Sequence, residues 1–259
     1  MKRRNFLHNT VAVGALSSLG ATAQTGPKKG RAREYYELRV YSVASAEKQA
    51  LLDEYLQNTA LPAYGKLGIK NVGAFKVLDD AANHSVYLLI PYTSMEQFAT
   101  ATAKAGGDLA YGAPATYAGV PMKDPVYDRI ESSLLLAFEG MPQMKVPAKK
   151  ERIFELRIYE SHNEKAGKQK VKMFNAGGEI AIFNKTGLTP VFFGEALVGT
   201  RLPNLTYLLT FDDMEARERN WKQFIGHPDW VKLKDQPEYA DTVSKITNIF
   251  LTPTGYSQV

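Results

Sequence analysis

Two stretches of the chain alternate apolar and polar positions in the same way. Tyr35-Tyr36-Glu37-Leu38-Arg39-Val40-Tyr41 recurs as Ile153-Phe154-Glu155-Leu156-Arg157-Ile158-Tyr159, with Glu-Leu-Arg and the final tyrosine identical at an offset of 118 residues. A period of two is the signature of a strand, so strands are expected over 35–42 and 153–160. Further echoes follow in the same order. Val86-Tyr87-Leu88-Leu89 matches Thr206-Tyr207-Leu208-Leu209, Ser94-Met95-Glu96 matches Asp213-Met214-Glu215, and Lys123-Asp124-Pro125-Val126-Tyr127 resembles Lys234-Asp235-Gln236-Pro237-Glu238-Tyr239. The chain therefore reads as an internal repeat.

Each copy has the same layout. After the opening strand, Leu52, Tyr55 and Leu56 give an i, i+3, i+4 helical face that Pro62 is expected to end. The second copy's helix, about 164–185, is interrupted by Gly177-Gly178. Paired strands are expected over 70–78 with 84–92, and over 188–198 with 204–211, across turns rich in Asp, Asn and Pro. A second helix opens on Thr93 with Glu96 three residues on, or on Asp212 with Glu215, each an N-cap with a capping-box acid. Its buried face in the second copy would be Trp221, Phe224 and Ile225. Last strands close the copies near 132–138 and 245–251.

The order β-α-β-β-α-β is the ferredoxin-like pattern, an antiparallel sheet with helices on one face. The fold class is α+β, with two tandem modules at 34–140 and 151–259 joined by a linker at 141–150. Each sheet would leave one face bare, and packing sheet to sheet, or closing into a barrel-like sandwich, hides both.

Side chains alternate faces along a strand, so each repeated strand has two rows. Tyr36, Leu38 and Val40, with Phe154, Leu156 and Ile158, should pack under the helices. Glu37, Arg39 and Tyr41, with Glu155, Arg157 and Tyr159, should then point into the space between the sheets. A buried charge must be paired, which leaves two readings. Either the rows are structural cross-links, or they line a polar cavity for an anionic or carbonyl-bearing ligand.

Composition removes several function classes. The chain has no cysteine, which excludes disulfides, thiolate nucleophiles, thiolate-held zinc and iron–sulfur clusters. The net charge of +5 is carried by seven Lys and Arg residues within 1–33, where no acid stands, leaving the remainder at −2. The body thus lacks the basic footprint of a nucleic-acid binder. Met1 to Ala23 reads as a cleavable leader: Lys2-Arg3-Arg4-Asn5-Phe6-Leu7 resembles a twin-arginine export signal, and Ala21-Thr22-Ala23 places the cut between Ala23 and Gln24. Residues 24–33 are a basic, Gly- and Pro-containing tether with nothing to bury. The expected location is outside the cytoplasm, periplasmic or extracellular.

No metal-ligand spacing, nucleophile elbow, phosphate loop or dinucleotide fingerprint is present. No metal and no cofactor is expected; His227, the best-placed axial ligand for a haem, reads more simply as a helix cap or surface residue. Glu-Leu-Arg-x-Tyr in both copies, the His227-Pro228-Asp229-Trp230 segment and Pro-x-Tyr before each last strand together resemble NIPSNAP proteins. That resemblance implies a dimeric α+β barrel, here assembled from both copies of one chain. The first copy departs from it, because Gly106 to Ala118 lacks both His and Trp. His227 and Trp230 therefore join Glu37, Arg39, Tyr41, Glu155, Arg157 and Tyr159 as candidate ligand-binding residues.

Two functions follow from different classes. The first is a non-catalytic small-ligand-binding or interaction protein of the cell envelope, with no nucleic-acid partner and no stable membrane insertion; a homo-oligomer is left open. The second is a cofactor-free monooxygenase- or isomerase-like enzyme of the related barrels. There, Arg39 or Arg157 would polarise an oxyanion and Tyr41 or Tyr159 would donate a proton.

Overall fold

A computed structural model describes residues 32–104 and 112–259. The leader and its cut at Ala23 and Gln24 lie outside these residues, as does the tether except for its end. Arg33, placed in the tether by sequence, already donates Nε to the carbonyl of Ala137.

The strands are β1 Tyr35–Ser42, β2 Gly73–Val77, β3 Val86–Tyr92, β4 Arg129–Ala137, β5 Ile153–Glu160, β6 Thr189–Val198, β7 Asn204–Phe211 and β8 Lys245–Pro253. They close into one eight-stranded antiparallel barrel in the order β1-β3-β2-β8-β5-β7-β6-β4. Each half contributes a four-stranded set, β4-β1-β3-β2 and β8-β5-β7-β6, and the sets join edge to edge at β2–β8 and β4–β6. Among the described residues each barrel strand is paired on both edges within the chain.

The crossing segments lock both seams. After β8 the chain runs along β2, where Gln258 accepts from Val72 N at 2.9 Å and Ser257 accepts from Ala74 N at 3.0 Å. After β4 it runs along β6, with Lys145 N donating to Val191 O at 2.9 Å. Residues 32–259 form one compact unit.

The helices lie outside: α1 Ala46–Tyr55, α2 Leu61–Lys66, α3 Met95–Lys104, α4 Ala115–Ala118, α5 Glu164–Phe174, α6 Glu179–Lys185, α7 Met214–Gly226 and α8 Pro228–Lys234. Pro62 does not end the first helix. A π turn over Leu56–Ala60 comes first, and Pro62 stands in the opening turn of α2, where its missing N–H breaks no ladder. Gly177-Gly178 does divide α5 from α6, with Gly178 at φ +90, a left-handed conformation open to glycine. The caps of the later helices are Ser94 and Asp213, one residue beyond Thr93 and Asp212, and Asp213 accepts from Ala216 N at 2.7 Å. On α7, Phe224 is buried and Trp221 half-buried, but Ile225 is 61% exposed, because it sits one step further round the helix.

The two faces of the repeated strands are reversed from the expectation. Tyr36, Leu38, Phe154 and Leu156 point into the barrel, where they meet Phe75, Leu135, Val191, Phe192, Leu208 and Leu251. Tyr36 packs on Phe192 at 4.9 Å and Phe75 on Phe154 at 4.9 Å between ring centres. The Glu-Arg-Tyr rows lie between the sheet and the helices instead. The physical reason is the size of the barrel. Eight strands enclose a space that side chains fill, and its middle is apolar, where an unpaired charge would be costly. The helix layer has rims, and its helices can bring hydrogen-bonding side chains to the charge.

A second reversal follows from register. Glu37 faces Ile90 and Glu155 faces Leu209, which are 119 residues apart, so the β3 and β7 echo is displaced by one residue. Tyr87 consequently points into the barrel, while Tyr207 points under the helices opposite Arg157.

Candidate functional site

The helix layers are built from the same strand motif and differ in what the helices add. In the second half, Glu155 is 0% exposed and both its oxygens are saturated. Arg157 Nη1 reaches Oε1 at 2.5 Å, Arg217 on α7 places Nη2 on Oε1 at 2.9 Å and Nε on Oε2 at 3.1 Å, and Trp221 donates Nε1 to Oε2 at 2.7 Å. Arg157 also donates to the Tyr159 hydroxyl at 3.1 Å, and Tyr207 donates to the same oxygen at 2.8 Å. The Arg157 guanidinium lies 4.4 Å from the Trp221 ring centre, a cation–π contact that roofs it.

Beside this network a second buried pair joins Lys170 on α5 to Glu179 on α6 at 2.8 Å. Lys170 Nζ lies 4.7 Å from the Phe174 ring centre and 5.6 Å from that of Trp230. The two carboxyls shift in opposite directions. Burial alone would raise Glu155, but the hydrogen bonds of Arg217, the charge of Arg157 and the Trp221 N–H hold it below the usual carboxylate range. Burial raises Glu179, and Lys170 only partly offsets this.

The signs set a pH dependence. Glu155, with a depressed folded pKa, contributes its full stabilisation above the unfolded carboxylate value of about 4.3 and loses it as pH falls through the folded value. Glu179, with a raised pKa, gives the opposite sign, so it cannot supply the loss in acid. Melting temperature followed from pH 7 to pH 3 should therefore fall less in Glu155→Gln than in the parent. Parallel curves would show that Glu155 is not held ionised by its partners.

In the first half the same carboxylate is met by one guanidinium and two hydroxyls. Glu37 receives Arg39 Nη2 at 2.7 Å, the Tyr92 hydroxyl at 2.8 Å and the Ser132 hydroxyl at 2.7 Å. Arg39 Nη1 reaches the Tyr64 hydroxyl on α2 at 3.3 Å, and the Arg39 side chain is 16% exposed. Around it stand Tyr41, Tyr55, Tyr117 and Tyr127. Tyr117 on α4 stacks on Tyr55 with ring centres 3.6 Å apart and planes at 8°, and Tyr127 meets Tyr41 edge-on at 5.4 Å. Burial pushes Tyr55 up to about 12 and also raises Tyr41, so both phenols stay protonated near neutral pH.

Six of the eight expected residues thus gather in two separate layers, three in each. Trp230 joins the second layer as a cover on Lys170 and packs on Phe224 at 4.5 Å. His227 lies outside both. It is the N-cap of α8, its Nδ1 accepting from Asp229 N at 3.2 Å. Among the described residues no cluster of three or more His, Cys, Asp or Glu could hold a metal ion, and no helix is long and apolar enough to cross a membrane. Arg217, Tyr207, Lys170, Glu179, Tyr64 and Tyr92 were not singled out from sequence. Arg217 carried a signal: it stands four residues before Trp221 and seven before Phe224, on the buried stripe of α7.

An eight-stranded antiparallel barrel made from two βαββαβ halves, with helices outside, is the dimeric α+β barrel fold, closed here within one chain. Solved structures share it. A Lactobacillus acidophilus NCFM protein, provisionally assigned as a monooxygenase, superposes with a TM-score of 0.55 at 10% identity, over 85% of this chain and 94% of its own. An anthrone oxidase-like protein gives 0.52 at 10% identity, over 86% and 92%. A NIPSNAP-like domain protein from Burkholderia xenovorans aligns at 23% identity over 41% of this chain and 88% of its own, with a TM-score of 0.37. No curated protein matches the sequence. Residues 154–258 match the sequence model of the NIPSNAP family.

Proposed function

We propose that the protein is a non-catalytic binding barrel that takes one small anionic aromatic ligand per chain, in the first helix layer beside Arg39. One observation carries this reading: the two layers share the Glu-Arg-Tyr row, yet only the second is sealed by charge. There Glu155 is met by two guanidiniums and an indole, and Arg157 is roofed by Trp221. In the first layer Arg39 is opposed by one carboxylate and a phenol, under a stack of tyrosines whose outer members, Tyr117 and Tyr127, are partly exposed. A planar carboxylate replacing Tyr117 on Tyr55 would meet both the ring and the guanidinium.

The enzyme reading loses one support: apolar side chains such as Tyr36, Leu38, Phe154, Phe192 and Leu208 occupy the space between the sheets, where the Arg and Tyr rows were expected. The barrel relatives described as monooxygenase and anthrone oxidase-like keep an oxidative role as the second reading. The leader read from Met1 to Ala23 would deliver the protein outside the cytoplasm, and N-terminal sequencing of the mature protein tests that, with Gln24 as the expected first residue.

Thermal-shift screening with small carboxylates, quinones and haem tests the binding role. The expected result is a rise in melting temperature with aromatic carboxylates that disappears in Arg39→Ala and persists in Trp221→Phe. If no compound shifts the parent protein, binding in this layer is refuted.

A further inference from the structure

A groove of about 670 Å3 on the described surface is lined by none of the Glu-Arg-Tyr residues. It lies between the segment joining the two halves and the tail after β8, and its size falls within the roughly 300–1,000 Å3 of small-ligand pockets. One stretch of its wall is apolar: Val146, Pro147, Pro253 and the body of Tyr256. The Tyr256 hydroxyl is occupied elsewhere, donating to Asp53 at 2.7 Å, so this ring offers the groove a hydrocarbon face.

The other stretch is cationic. Lys149, Lys150 and Arg152 line it against the single acid Glu151. Lys150 is paired with Asp212, and Asp212 is held below the usual carboxylate range by Lys150 first and by Arg152 after it. Among the described residues no carboxylate lies within 4.0 Å of Lys149 or Arg152, and Arg152 is half-buried, its guanidinium resting on the neutral acceptors Thr210 and Ala148. Arg152 thus hydrogen-bonds only neutral acceptors and feels Asp212 from beyond ion-pair distance, which leaves its guanidinium able to take an anion. Val259 places a backbone oxygen nearby, but Ser257 already donates to it at 2.9 Å.

We infer that this groove binds a fatty carboxylate of medium chain length, its tail on Val146, Pro147 and Tyr256 and its headgroup on Arg152 and Lys149. The same ligand would bridge the joining segment and the tail, the two stretches that lock the barrel seams.

Calorimetric titration of the full chain with decanoate tests this. Binding is expected, with Kd raised at least tenfold in Lys149→Glu, whose exposed position should leave the fold intact, as a circular dichroism melt would confirm. Arg39→Ala should bind decanoate as the parent does, which separates this groove from the first helix layer. Three results would overturn the inference: no decanoate binding at millimolar concentration, unchanged affinity in Lys149→Glu, or equal affinity for decyltrimethylammonium.

Discussion

Replacing Glu155 with alanine is expected to cost about 3–5 kcal/mol of stability, the usual penalty for breaking a buried ion pair from one side. The carboxylate has no exposure and holds Arg157, Arg217 and Trp221 together. Without it, two guanidiniums face each other across an apolar layer. Arg157 keeps its bond to Tyr159, and Arg217, at its rim, can turn outward to solvent, so the loss should concentrate on Arg157. Urea unfolding followed by tryptophan fluorescence reads it directly, because both tryptophans, Trp221 and Trp230, lie in this half. The double variant Glu155→Leu with Arg157→Met should recover much of the loss, since an apolar pair of similar volume needs no charge partner. A cost under about 1 kcal/mol in Glu155→Ala would mean that the network is solvated and contributes little.

Truncating Phe192 to alanine should be as damaging, by about 3–5 kcal/mol, for a different reason. Phe192 is fully buried at the centre of the barrel, against Tyr36 from the other half. Its removal leaves a cavity in a closed wall of strands that cannot collapse inward. The measurement is again urea unfolding, and because the interior is shared, both halves should lose stability in one transition. Had the charged rows pointed inward around a wet cavity, Phe192→Ala would have changed little. An effect under about 1 kcal/mol would argue for that arrangement.

The sequence carried the strands well and their orientation poorly. Alternation over 35–42 and 153–160 gives both strand bounds, because every second side chain had to suit one environment. Alternation does not say which row faces the helices, and here both faces of each strand are buried. Closing the barrel settles it: the dry side is the interior, so Leu38 and Leu156 go in, and the charged rows go where Tyr64, Tyr92 and Arg217 can reach them. The Tyr87 and Tyr207 match misled for a related reason. A one-residue displacement costs little in a sequence comparison but moves a side chain to the opposite face of a strand. Pro62 misled because the π turn before it places the proline at the start of a new helix rather than within an old one.

The candidate site was half legible. The Glu-Arg-Tyr rows were found, and their pairing was the simpler of the two readings. The difference between the halves was not visible, because it depends on which partners arrive from elsewhere in the fold. Arg217 and Trp221 of α7 come down on Glu155, whereas in the first half Tyr92 of β3 and Ser132 of β4 bond Glu37. His227 drew notice for its chemistry, but Pro228 after it marks a helix start, and a residue before such a start is commonly a cap.

The most direct measurement is a calorimetric titration with 2-naphthoate, a planar aromatic carboxylate suited to Arg39 and the Tyr55–Tyr117 stack. One ligand per chain is expected, abolished by Arg39→Ala, with tryptophan fluorescence unchanged on binding because both indoles lie in the other layer. Two ligands per chain, quenching of the tryptophans, or binding that survives Arg39→Ala would contradict a single binding layer in the first half.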